Sequence, residues 1–70
     1  MNLAKKVGSL IKEARKLKGL TQKEVAKIFH MTQQQYSRFE NGVFELNYQQ
    51  LYDLCKFLDT TPNELFNFEI

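Results

Sequence analysis

Residues 31–42 read MTQQQYSRFENG and set three amide side chains, Gln33, Gln34 and Gln35, next to one another. An amide carries donor and acceptor in one plane, so it can pair with a rigid group that offers one of each. Arg38 adds a guanidinium with paired donors in a fixed fork. On a helix, residues four apart are neighbours, which makes Gln34 and Arg38 adjacent. With Gln33 set at 0° and a step of about 100° per residue, Tyr36 and Phe39 fall at about 300° and 240°, giving a core direction of about 270°. Gln34, Arg38, Asn41 and Ser37 then lie at about 100°, 140°, 80° and 40°, on the side away from the core, with Gln33 at its edge. Gln35, at about 200°, sits nearer the core. The outward face holds nothing apolar. Gln can bond N7 and N6 of adenine, and Arg can bond O6 and N7 of guanine, so the face suits base reading. Gln and Arg are also ordinary residues of a solvated helix surface, and spacing alone leaves both readings open.

The elements that would position this face are well punctuated. Leu3, Val7, Leu10, Ala14 and Leu17, with Ile11 beside them, recur at helical spacing and predict an amphipathic first helix ending at Gly19. Thr21-Gln22-Lys23-Glu24 is a capping box, and Val25, Ala26, Ile28 and Phe29 follow it as a short second helix. His30-Met31 interrupts. Thr32-Gln33-Gln34-Gln35 repeats the box with Gln as its fourth member, so Gln35 already has a structural task. Asn41-Gly42, residues able to turn left-handed, end this third helix. Asn47 to Gln50 can cap a fourth helix, with Leu51, Leu54, Cys55 and Leu58 inward, and Thr61-Pro62-Asn63-Glu64 a fifth. The reading is all-α, a single domain over residues 1–70, without a linker or an internal repeat.

Composition bounds what such a bundle can do. Seventy residues, 43% hydrophobic and 26% charged, suffice for one core and no second domain. No window approaches the roughly 18 apolar residues of a membrane span, and lysines interrupt the N-terminus where a signal peptide needs an apolar run; a cytoplasmic protein without membrane contact is expected. One cysteine, Cys55, and one histidine, His30, supply neither a disulfide nor a metal cluster, and both are read as structural. No nucleophile, base and orienting acid stand at a useful spacing, so neither an enzyme nor a cofactor is expected. Charge is lopsided: residues 1–35 carry eight Lys/Arg against two acids, and residues 36–70 carry two against six. A basic half points to a polyanionic partner, although solvated faces alone can carry such asymmetry.

Two short helices joined by a tight turn beside a basic segment are the ingredients of a helix-turn-helix, whose second helix enters the DNA major groove. Residues 19–66, and most specifically LTQKEVA, TQQQYSRFENG and LYDLCKFLDTTPNELF, resemble the phage repressor and Cro-type helix-turn-helix family, also called the XRE family. TQQQYSRFENG is similar to the recognition helix of the phage 434 repressor, and residues 67–70 form a tail beyond the resembling stretch. The resemblance implies a five-helix, lambda-repressor-like fold with the helix-turn-helix in helices two and three, binding a double-stranded operator and regulating transcription as a repressor or Cro-like protein. It implies that Gln33, Gln34 and Arg38 meet bases, with Ser37 beside them, and that Gln22, Thr32, Gln35 and Asn41 lie at phosphates. It also implies a buried ion pair between Arg15 and Glu40.

Two positions depart from the family pattern. His30 stands where Gly is usual, at a turn that calls for positive φ, and Leu46 stands where many members have Pro. With four residues beyond the resembling stretch, no ligand-sensing or self-cleaving domain and no small-molecule ligand are expected. A homodimer, its contact made by the DNA-binding domain itself, is the expected assembly, and Phe44, Leu46, Phe57, Phe66, Phe68 and Ile70 are candidates for either core or interface. The alternative is a helix-turn-helix that serves as a protein-interaction module, such as an antitoxin.

Overall fold

The computed structural model describes residues 3–60. They form four helices and no strand: α1 Leu3–Leu17, α2 Gln22–Ile28, α3 Gln33–Glu40 and α4 Tyr48–Phe57. The fifth helix expected after Thr61, and the candidates Phe66, Phe68 and Ile70, lie outside the described residues.

Each helix after the first starts in the same way. Thr21, Thr32 and Asn47 hold extended backbone, accept the N–H of Glu24, Gln35 and Gln50, and receive the reciprocal side-chain bond on their own N–H. Two backbone donors are thereby satisfied at each start, which lets helices of seven to ten residues begin sharply.

All four helices also end in one way. The N–H of Leu20, Met31, Val43 and Thr60 bonds the carbonyl five residues back, at 3.2, 2.8, 2.8 and 2.9 Å. The preceding residue is left-handed in every case: Gly19 at φ 72°, His30 at 56°, Gly42 at 78° and Asp59 at 55°. His30 therefore occupies the positive-φ turn position, while Asn41, read with Gly42 as a left-handed stop, stays at φ −88°.

The core is built from Val7 and Ile11 of α1, Val25 and Ala26 of α2, Tyr36 and Phe39 of α3, and Leu54, Cys55 and Leu58 around α4. Its centre on α1 differs from the expected line. The inward stripe runs Val7, Ile11, Arg15, with Ile11 wholly buried, whereas Leu3 is exposed and Leu17 is 89% exposed. Leu17 is six residues from Ile11, or about 240° around the helix, which turns it away from α3. Together with Leu10 and Ala14 it lines a groove with Leu58, Asp59 and Thr60. Ile28 likewise faces outward on α2.

Leu46 and Phe57 pack against the core, Phe57 edge-on to Phe29 with ring centroids 5.6 Å apart. Val43, Phe44, Tyr48 and Tyr52 remain exposed. Gly8 allows α1 to touch the end of α3, since a Cβ there would stand 2.5 Å from the carbonyl oxygens of both Phe39 and Glu40.

Candidate nucleic-acid interface

Residues 29–32 join α2 to α3 in a four-residue turn, short enough to fix one helix against the other. Tyr36, Phe39 and Glu40 are buried on one side of α3. Gln33, Gln34, Gln35, Arg38 and Asn41 are exposed, and Ser37 is half-buried. The division follows the helical angles, because Tyr36, Phe39 and Glu40 span only about 100° of the circumference.

The six glutamines of the chain divide into two kinds. Gln22 donates to Glu40, Gln35 and Gln50 complete capping boxes, and Gln49 donates to Asp53 at 3.0 Å. Gln33 and Gln34 form no side-chain hydrogen bond among the described residues, nor do Ser37, Arg38 and Asn41. The unbonded amides and the guanidinium thus lie together on the outward face of α3 with their donors and acceptors facing solvent.

Behind this face stands a buried polar network. Arg15 Nε and Nη2 donate to Glu40 Oε2 and Oε1 at 2.7 and 3.1 Å, and Nη1 donates to the Leu20 carbonyl at 2.7 Å. Gln22 Nε2 donates to Glu40 Oε1 at 3.0 Å. One guanidinium and one carboxylate thereby join α1, the turn after it, the start of α2 and the end of α3. Burial pushes the Glu40 carboxyl up, but the hydrogen bonds from Arg15 and Gln22 outweigh it and hold the group below the usual carboxylate range. The bond to Glu40 raises Arg15 in turn. The Tyr36 hydroxyl is buried without a hydrogen-bond partner among the described residues, and burial holds the phenol protonated far above its ordinary range.

Gln22 and Thr32 stand at the starts of α2 and α3, where free backbone N–H groups make helix ends receptive to anions. Gln22 is the residue whose environment composition and spacing fail to disclose. Its partner lies 18 residues away on another helix, and no local pattern carries that information.

Among the described residues no three His, Cys, Asp or Glu side chains are grouped to hold a metal, and no helix is long and apolar enough to cross a membrane. Cys55 is a buried free thiol, pushed up by burial and so poorly ionised.

Two capped helices set by a four-residue turn, the second with a polar, solvent-facing side, define a helix-turn-helix protein. The family model described as Helix-turn-helix matches residues 11–65, well over half of the chain. The chain belongs to that family, of XRE type, a family of DNA-binding proteins. No curated protein and no solved structure matches it.

Proposed function

We propose that this protein is a sequence-specific transcriptional regulator, a repressor or Cro-like protein, that places α3 in the major groove of a pseudo-palindromic operator. One observation carries the reading: among the described residues the side chains of Gln33, Gln34, Ser37 and Arg38 on the outward side of α3 are left without partners, while the other glutamines are engaged in caps, in a pair on α4 and in the buried network. Gln33, Gln34 and Arg38 read base edges, with Ser37 beside them. Gln22, Thr32, Gln35 and Asn41 meet phosphates and fix the register of the helix in the groove. The likeness of residues 32–42 to the recognition helix of the phage 434 repressor supports the same assignment. The whole chain acts as one domain in the cytoplasm, without a small-molecule ligand.

The protein works as a homodimer, since a two-fold operator is read by two recognition helices about 34 to 36 Å apart. The exposed Val43, Phe44, Tyr48 and Tyr52 supply apolar surface for the contact. Selection from a random duplex library at about 150 mM salt tests the function, because lower salt inflates binding to phosphates alone. The reading requires an enriched inverted repeat with fixed adenine and guanine positions. A pool without enrichment defeats it and turns attention to protein partners. Sedimentation equilibrium that finds monomer both free and on the selected duplex defeats the dimer.

A further inference from the structure

The amide of Gln22 is held before any ligand arrives. Its acceptor is not a mobile surface carboxylate: the Glu40 side chain has no exposed area, and Arg15 grips it at 2.7 Å. Orientation is forced as well, since only the N–H2 end of an amide can face a carboxylate. One N–H of Gln22 is thereby engaged at 3.0 Å, and the second N–H and the carbonyl are unbonded among the described residues on a half-buried side chain. Glu40 is also the last residue of α3, and Gln22 is the first of α2. The bond thus joins the start of α2 directly to the end of α3.

We propose that Glu40 is a positioning residue for DNA-backbone binding: its buried carboxylate fixes the amide of Gln22 so that the second N–H is directed at a phosphate oxygen. This rests on the reading of Gln22 as a phosphate contact. Arg15 acts one step further back by holding the carboxylate. A free glutamine must lose its side-chain freedom when it binds, as Gln33 and Gln34 must, whereas Gln22 has lost it on folding. The phosphate contact is then in register with the base-reading helix from the outset.

Two measurements test the role. In the native protein without DNA, 15N relaxation of the side-chain N–H2 groups should find Gln22 nearly as restricted as rigid backbone, with an order parameter approaching about 0.85, and Gln33 and Gln34 below about 0.6. A Gln22 amide as mobile as that of Gln34 overturns the proposal. Next, Gln22→Ala is compared in the native chain and in an Arg15→Met/Glu40→Leu chain, whose packed apolar pair removes the tether without leaving a buried charge. Affinity for random duplex should fall about tenfold in the native background and little further in the apolar one. Equal losses in both overturn the positioning role. Should the apolar pair fail to fold, the relaxation measurement on the native chain decides the role by itself. A native chain that binds no duplex at any salt defeats the DNA reading itself, while the relaxation result, obtained without DNA, still decides whether Glu40 holds the amide.

Discussion

Arg15 and Glu40, 25 residues apart in the chain, meet inside the bundle through two hydrogen bonds of 2.7 and 3.1 Å, and the same guanidinium closes on the carbonyl of Leu20. A buried pair of this kind is expensive to break and contributes little when intact, because desolvation offsets most of the attraction. Arg15→Ala or Glu40→Ala alone should cost about 3 to 5 kcal/mol in urea unfolding. The combined Arg15→Met/Glu40→Leu change should cost far less than the sum. Additive losses would mean that the two charges are solvated independently.

The pair also sets an acid limit. Glu40 titrates below its ordinary value in the folded protein, so its contribution is complete above the unfolded value of about 4.3 and is lost as pH falls through the lower folded value. Glu24, exposed and bonded to the Thr21 backbone, is shifted the same way. Urea midpoints followed down from pH 6 should therefore decline below about pH 4.3. Glu40→Gln should flatten that decline; a slope unchanged by the substitution would assign acid lability to other groups.

His30 pays for its place in the turn. It holds φ 56°, where an L side chain costs about 1 to 2 kcal/mol and glycine nothing, less the extra freedom that glycine carries in the unfolded chain. His30→Gly should raise stability by about 0.5 to 1 kcal/mol, read as a higher melting temperature. A lower one would show that the imidazole makes a stabilising contact in solution.

Gly8 and Gly19 respond to alanine for different reasons. At Gly19 a Cβ meets nothing within 4 Å, and only the positive φ opposes it. At Gly8 the backbone is helical, where alanine normally gains about 1 kcal/mol, yet the new Cβ would enter the carbonyls of Phe39 and Glu40. Gly8→Ala should be the more destabilising of the two and should loosen α1 from α3. Calorimetry that ranks them in the opposite order would place α1 farther from α3 than described.

Gln34→Ala separates affinity from stability. Its amide has no partner among the described residues, so the melting temperature should stay within error. Binding to a selected operator should weaken by about 1 to 3 kcal/mol, and binding to random duplex should hardly change. Equal weakening on both would turn Gln34 into a backbone contact.

What can be read along the chain is what four or five consecutive residues decide. The boxes of Thr21, Thr32 and Asn47, the helix end at Gly19, the left-handed turn at Gly42, and the outward set on α3 are all local, and each has its structural counterpart. Packing between helices is less legible. Leu17 shares the period of the apolar stripe yet stands outside it, because the stripe is centred on Ile11 by where α3 lies rather than by hydropathy. The meeting of Arg15 with Glu40 is suggested only by family likeness, and the bond from Gln22 by nothing in the sequence. Tyr48 and Tyr52 lie outside the inward set Leu51, Leu54, Cys55 and Leu58 and are exposed.

The third helix begins with its own capping box, ends in its own left-handed turn, and keeps its load-carrying contacts on Tyr36, Phe39 and Glu40. The side chains of residues 33, 34, 37 and 38 form no hydrogen bond or ion pair among the described residues. On the proposed function, changes at those four positions would alter which sequence is read without disturbing the helix that presents them. If that function holds, point substitution on the outward face is enough to retarget such a protein, and two copies with divergent outward residues would share one folding solution while serving different genes.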